Sequence, residues 1–287
     1  MSIPRPILDA NLPVGDWSIL TAWRGSQAHG TWIGPKEEYG TDDKDVMAIC
    51  VPPKPYYLGL ETYGMGHRGT KEIAEAEWDI VAYEARKAIA LLEKGNPNML
   101  MILWLPDTGY IKRTPAGEIL LQNRHMFDGK HVYGAFVGYA RGQLHRMTHG
   151  VHEGYMGTKR KELFHRYGYD TKNAGHLIRL LRMAVEYLST GVLNVVRSDA
   201  SELIDIKCGR WSLEEVKKEA DRLFGLADAA LINSPLPGTP NHGRISDLTV
   251  GVVQAGWRQL REHAEYARTH RLMSDDPSET TADSSPR

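Results

Sequence analysis

The sequence predicts an α+β protein, because strand-like and helical patterns occupy different parts of the chain. Alternating apolar segments lie before residue 115, helical periodicity dominates residues 116–272, and residues 273–287 are polar. We therefore expect a sheet-containing domain over residues 1–115, a mostly helical domain over 116–272 and a disordered tail over 273–287.

The first part of the chain carries the strand patterns. Residues 43–51, DKDVMAICV, are apolar on both faces of an extended chain, which is typical of a strand covered on both sides. Residues 77–83 alternate as a second strand, and residues 16–23 fit either a short strand or a buried turn of helix. The segment ARKAIALLEKG then predicts a helix that ends at Gly95.

The domain boundary is predicted within residues 107–123. This stretch has the pattern of a hairpin or linker, with PAG at 115–117 as its turn. Beyond it the apolar residues recur at helical spacing, and Ser212 followed by Glu215 has the pattern of a capping box. Helices are expected over 125–149, 158–166, 172–190, 199–208, 212–230 and 245–269.

Composition places the chain among ordinary globular proteins. Hydrophobic residues make up 41% and charged residues 25% of the 287 positions. No run of eighteen apolar residues occurs and the N-terminus lacks a signal-peptide core, so we expect no association with a membrane. Cys50 and Cys208 have no C-x-x-C neighbour, which argues for a reducing cytoplasm and against zinc.

Charge is distributed unevenly along the chain. Residues 1–107 hold fifteen Asp and Glu against ten Lys and Arg, whereas residues 124–182 hold eleven Lys and Arg against four Asp and Glu. An acidic half that faces a basic half suits a metal-bound, polyanionic substrate. The alternative is that both faces are solvated and differ in charge without a functional reason.

The stretch RGSQAHGTWIGPKEEYGTDDKD, residues 24–45, carries the first candidate site. Gly25 and Ser26 form a predicted turn whose N–H groups and hydroxyl suit phosphate oxygens, so we predict that they bind the nucleotide. Asp43 and Asp45 are two positions apart at the start of a predicted strand and therefore point to the same side. Two like charges at that spacing indicate a cation between them.

Paired carboxylates beside a phosphate-binding turn predict metal-dependent nucleotidyl transfer. That reaction uses two divalent cations about 3.5–4 Å apart, so we expect Mg²⁺ or Mn²⁺ as cofactor and an NTP as co-substrate. A third carboxylate should come from a neighbouring strand, and Asp79 is the first candidate, with Glu77 as the alternative. We predict that Asp43, Asp45 and Asp79 are catalytic residues that bind the metal.

A predicted helix within YDTKNAGHLIRLLRMAVEYL supplies the second candidate site. Lys172, His176 and Arg179 fall at positions i, i+4 and i+7, on one face of this helix. Such a row of bases can neutralise the phosphates of a leaving group, so we predict that the three residues bind the nucleotide. The alternative is an ordinary amphipathic helix with solvated bases.

Six segments, in order along the chain, resemble one known family. They are GSQAHGT, VMAICVPP, YYLGL, DIVAYEARKAIALLEKGNPN, YDTKNAGHLIRLLR and ELIDIKCG. They lie between about residues 24 and 210 and are similar to the bacterial and phage polymerase-β-like nucleotidyltransferases associated with RNA repair. The chain departs from the family pattern in a longer interval between Ser26 and Asp43, which contains residues 32–40.

The resemblance implies a small mixed-sheet nucleotidyltransferase domain, a helical domain and an active site in the cleft between them. It also implies transfer of a nucleoside monophosphate from an NTP, ATP included, to an acceptor hydroxyl, with release of pyrophosphate. The expected partners are an NTP and, as acceptor, an RNA end. Two alternatives stay open, namely transfer to a protein or small-molecule hydroxyl and a non-catalytic nucleotide-binding protein with the same fold.

Overall fold

A five-stranded mixed sheet forms the first part of the protein. Its strands are β1 (Ser18–Trp23), β2 (Lys44–Cys50), β3 (Thr70–Glu75), β4 (Trp78–Glu84) and β5 (Tyr110–Arg113). They follow the order β3-β4-β2-β1-β5, in which β2 and β4 are parallel and all other neighbours are antiparallel. The structure is a computed structural model that describes residues 15–37, 39–40, 44–64, 69–75, 78–149 and 158–274, with the backbone alone at 149, 158–160 and 262–274.

Helices make up most of the described chain after the sheet, which confirms the predicted α+β class. The short helices α1 (Gly25–His29), α2 (Pro55–Leu58), α3 (Ala85–Glu93) and α4 (Pro97–Leu100) lie between strands. The later helices are α5 (Pro115–Gln122), α6 (Val132–His149), α7 (Thr158–Tyr167), α8 (Thr171–Thr190), α9 (Ala200–Lys207), α10 (Leu213–Asn233) and α11 (His242–Ser274). The predicted capping box of α10 is present, since the side chains of Ser212 and Glu215 bond each other's backbone N–H.

The centre of the sheet is covered on both sides, as the apolar pattern of β2 predicts. The side chains from Val46 to Cys50 are all buried. One face packs into the main core, and on the other Ala48 and Ala82 lie beneath Trp17 and Tyr63. Small side chains on this second face allow the segments that carry Trp17 and Tyr63 to lie close to the strands.

Strand β3 is absent from the sequence prediction. Its segment TKEIAE contains one large apolar residue, Ile73, so the alternation along it is weak. The strand nevertheless pairs with β4 along its whole length, from Thr70 opposite Tyr83 to Glu75 opposite Trp78. Pairing with an existing neighbour, rather than its own hydrophobicity, accounts for this strand.

The prediction of a hairpin or linker at 107–123 is wrong. The segment contains β5, which pairs with β1, and then α5. Pro115 is the first residue of α5, where no helical bond needs its missing N–H, and Thr114 Oγ1 accepts a hydrogen bond from Gly117 N–H. The PAG segment therefore begins a helix instead of forming a turn.

The helical part packs back onto the sheet. Helices α6, α8 and α10 lie side by side, and α9 packs on α8. Helix α11 returns to α3 and α5, and Trp257 Nε1 donates a hydrogen bond of 3.0 Å to the carbonyl of Pro52. A Cβ added at Gly256 would lie 2.7 Å from Val51 Cβ, so α11 runs very close to the end of β2. One hydrophobic core extends through both parts, and the boundary between two domains stays a prediction.

The predicted disordered tail falls outside the described residues from position 275 onward. Within the described ranges, none of the helices combines the length and apolar character that a bilayer crossing requires.

Candidate active site

A cavity of about 880 Å³ lies between the sheet and the helical part. One wall comes from the end of β1, from α1 and from the adjoining strands β2 and β4. The opposite wall comes from one face each of α6, α8 and α9. The cleft brings together all of the predicted site residues that the structure describes, namely Gly25, Ser26, Asp45, Asp79, Lys172, His176 and Arg179.

The sheet wall carries two facing carboxylates. Asp45 on β2 and Asp79 on β4 are direct partners in the parallel register, so both side chains point to the cleft side of the sheet. Arg24 follows the last residue of β1 and lies beside them, with its Nη2 2.8 Å from Asp79 Oδ2 and 3.5 Å from Asp45 Oδ1. The single positive charge of the guanidinium therefore offsets part of the negative charge of the two carboxylates.

Arg24 was not among the residues predicted from the sequence. The only indication of Arg24 in the sequence is its position directly before Gly25. That position lies at the same edge of the sheet as Asp45. Its backbone N–H also donates to the carbonyl of Asp45, with a distance of 3.0 Å. Backbone and side chain together fix Arg24 against β2.

Gly25 and Ser26 form the first turn of α1 instead of the predicted free turn. Strand β1 ends at Trp23, Arg24 is the N-cap with an extended backbone, and the helix starts at Gly25. Gly25 has a φ of +61°, and a Cβ there would lie 2.4 Å from Asp45 Oδ2. Glycine is therefore required for this close approach of α1 to the carboxylate.

Two of the predicted carboxylates lie outside the described residues. These are Asp43 and the alternative third ligand, Glu77. In the part of the chain that the structure describes, no group of three or more His, Cys, Asp or Glu side chains could hold a metal ion. Asp45 and Asp79 nevertheless form an oxygen-donor pair that already holds a cationic group, and carboxylate oxygens are the ligands that Mg²⁺ and Mn²⁺ prefer.

The opposite wall is basic. Lys172, His176 and Arg179 of α8 all line the cleft, as their i, i+4, i+7 spacing predicts. Arg146 of α6 and Lys207 of α9 join them there. These two were missed because they sit on separate helices, and only the packing of the helices brings them to one wall.

Arg179 is a cation without an acidic partner in the described structure. Its only hydrogen-bond contact there is from Nη1 to Met183 Sδ, at 3.3 Å. Burial, with a smaller contribution from Arg197, lowers the pKa of Arg179 to about 10, which leaves it charged at neutral pH. A charged guanidinium that faces a cleft without a carboxylate is well suited to bind an anion.

His29 ties α1 to the helical part. Its side chain is buried, and Nδ1 is 2.9 Å from the carbonyl of Val195. In return, Arg197 N–H donates to the carbonyl of His29 at 3.2 Å. Burial first, and then the charges of Arg179, His176 and Arg197, hold the pKa of His29 well below its usual value, so Nδ1 is the protonated donor of a neutral ring.

Fold and site together define a class: an α+β protein with paired carboxylates at a sheet edge and a basic helix across a cleft, as in polymerase-β-type nucleotidyltransferases. The chain belongs to the RNA repair pathway DNA polymerase beta family, RlaP, whose family model matches residues 19–209. This confirms the family that the six sequence segments indicate, and it makes nucleotidyl transfer the general class of activity. No curated protein matches the chain.

Proposed function

We propose that the protein is a metal-dependent nucleotidyltransferase that transfers a nucleoside monophosphate from an NTP to a hydroxyl at an RNA end. The observation that carries this proposal is the pairing of Asp45 with Asp79 across a cleft from the bases of α8. Acidic and basic walls that face each other suit a triphosphate bound through a divalent cation.

The acidic wall would hold the metal. Asp45 and Asp79, together with Asp43, are the residues proposed to bind Mg²⁺ or Mn²⁺. When bound, the metal lowers the pKa of the acceptor hydroxyl and stabilises the charge of the triphosphate. Gly25 allows Asp45 to stay in place, because any larger residue would overlap its carboxylate.

The basic wall would bind the triphosphate. Lys172, His176 and Arg179 lie along one face of α8, where they can neutralise the β- and γ-phosphates. The acceptor oxygen forms a bond to the α-phosphorus as the bond from that phosphorus to pyrophosphate breaks, and the hydroxyl proton passes to water. Arg179, which has no carboxylate partner among the described residues, would help to hold the departing pyrophosphate.

An acceptor assay tests the proposal. The protein is incubated with a labelled NTP and Mg²⁺ or Mn²⁺, and with RNA, protein or a small alcohol as acceptor. We expect label on RNA and an equal amount of pyrophosphate. Label on protein or alcohol alone would refute the RNA acceptor, whereas no label and no pyrophosphate with any acceptor would refute nucleotidyl transfer.

Replacing Asp45 tests the acidic wall. We expect Asp45→Asn to reduce transfer about 100-fold or more, because a lost metal ligand removes several kcal/mol of transition-state stabilisation. Binding of Mn²⁺, measured by titration calorimetry, should weaken in the same variant. The control is Asp221→Asn, since Asp221 is an exposed residue of α10 away from the cleft. Full activity of Asp45→Asn would contradict the assignment.

A further inference from the structure

One face of α6 lines the cleft, and two of its residues, Tyr139 and Gln143, have no role in the proposed reaction. Tyr139, Gln143 and Arg146 occupy positions i, i+4 and i+7 of this helix, and all three border the cavity. The face therefore presents an aromatic ring, an amide and a guanidinium in a row. Helix α6 packs along α8, so this row lies beside the bases that would bind the triphosphate.

Gln143 is the unusual member of the row. Its side chain borders the cavity while the residue is only 8% exposed. Its amide makes no hydrogen bond to any other side chain or backbone group in the described part of the chain. The amide is not among the fully enclosed polar atoms that lack a partner, so it reaches the solvent of the cavity. An amide that borders a cleft and bonds no described protein group can hydrogen-bond a ligand that displaces this solvent.

Tyr139 is held in position beside it. Its hydroxyl accepts a hydrogen bond of 3.0 Å from Asn96 Nδ2. Asn96 is itself fixed, because it caps α4 by accepting hydrogen bonds from the backbone N–H groups of Asn98 and Met99. The tyrosine remains 39% exposed, so part of the ring is available to contact a ligand.

We infer that Gln143 hydrogen-bonds the edge of the base of the incoming NTP and that Tyr139 contacts the plane of that base. This inference rests on the proposed function. A glutamine amide offers one donor and one acceptor side by side, which match the neighbouring donor and acceptor on a base edge. Because α6 and α8 lie side by side, a nucleotide with its phosphates on α8 has its base within reach of α6.

The contribution of the base to binding can be measured separately from that of the phosphates. We would measure the affinity of the protein for ATP, GTP, CTP, UTP and inorganic tripolyphosphate by competition with a fluorescent nucleotide. Gln143→Leu should weaken binding of at least one NTP by roughly tenfold while leaving tripolyphosphate unchanged, because tripolyphosphate has no base. Lys172→Gln should weaken the NTPs and tripolyphosphate alike.

A second variant tests the direction of the hydrogen bonds. Gln143→Glu replaces the amide donor with an acceptor, so it should favour GTP over ATP relative to the wild type, because guanine carries two adjacent donors, N1–H and N2–H. Gln254→Leu is the control, since Gln254 is an exposed glutamine of α11. Thermal unfolding tests whether each variant keeps the fold, and Gln143→Met replaces Gln143→Leu if the latter does not fold.

The outcomes distinguish this inference from the proposed function. Unchanged NTP affinities in Gln143→Leu, or an equal loss for the NTPs and tripolyphosphate, would overturn the assignment of Gln143 while leaving nucleotidyl transfer in place. A wild-type protein that binds neither NTP nor tripolyphosphate would refute the proposed function, and the inference with it.

Discussion

Arg24 occupies the position between Asp45 and Asp79 where a divalent cation would be bound. Its guanidinium is 2.8 Å from one carboxylate and 3.5 Å from the other. A metal ion that binds both carboxylates must therefore displace this side chain. Because the side chains are partly exposed, the ion pairs are modest in energy, and displacement is within reach of a metal.

Removing the charge of Arg24 should therefore ease metal binding. We expect Arg24→Gln to tighten the binding of Mn²⁺ about two- to fivefold, the effect of losing a competing ion pair of less than about 1 kcal/mol. Titration calorimetry without nucleotide measures this affinity. Arg258→Gln, which removes an exposed charge from α11, serves as the control. An Arg24→Gln variant with unchanged or weaker affinity would show that the guanidinium does not compete with the metal.

Gly25 allows a prediction with a closely matched control. Gly25→Ala places a methyl group 2.4 Å from Asp45 Oδ2 at a φ of +61°, whereas Gly168→Ala meets no atom within 4 Å at a φ of +76°. Both variants should lose about 1–2 kcal/mol of stability from the left-handed backbone. Only Gly25→Ala should also weaken Mn²⁺ binding and transfer, by about tenfold or more, because it moves Asp45. Equal activities of the two variants would mean that the contact with Asp45 is unimportant.

At the scale of elements, α1 depends on the segment between α8 and α9. His29 bonds to Val195, and Arg197 bonds back to His29. The Arg197 guanidinium is in turn held by Glu186, with two contacts of 2.7 Å, and by Asp199 at 2.8 Å. The short helix that begins with Gly25 is thereby fixed to the helical part, across the cleft from its own sheet.

This attachment should make stability depend on pH. The pKa of His29 is lowered by burial, so below pH 6.5 the unfolded chain takes up a proton at this residue that the folded protein does not. The free energy of unfolding should therefore fall as pH decreases from 6.5, by up to about 1.4 kcal/mol per pH unit. Urea unfolding at pH 7.5, 6.5 and 5.5 measures this slope.

Two variants isolate the contribution of His29 to that slope. His29→Gln keeps a donor for the Val195 carbonyl but does not titrate, so its stability should fall less steeply below pH 6.5 than that of the wild type. His165→Gln, the same substitution at an exposed residue of α7, is measured in parallel as the control. Identical slopes for the wild type and His29→Gln would show that the proton is not excluded from this site.

Elements with a strong local sequence pattern were predictable from the sequence. Elements that form because of contacts with other parts of the fold were not. The apolar run of β2 and the glycine that follows α3 are local signals, and both elements are present. Strand β3 has weak alternation and exists through its pairing with β4. The PAG segment at 115–117 fits both a turn and a helix start, and the choice was decided by the capping of α5 and the pairing of β5.

At the scale of the whole molecule, the sequence predicted cleft residues that share a face of one element. It did not predict residues that reach the cleft through the packing of different elements. Asp45, Lys172 and Arg179 were predicted because the spacing of charged residues along one element shows which of them share a face. Arg24 and Gln143, which also line the cleft, were not predicted, because only the packing of distant elements brings them there. A lone arginine at a strand end and a glutamine within a helix carry no distinguishing pattern by themselves.

The contact between Trp257 and Pro52 has a consequence for synthesis of the protein on the ribosome. The two residues are 205 positions apart, so the end of β2 has no contact with α11 until the residues between them have been translated. At about 5–20 residues per second, this interval lasts roughly 10–40 s. During that time the apolar surface that α11 later covers is open to water or to a chaperone. A nascent chain that stops before α11 would expose this surface permanently.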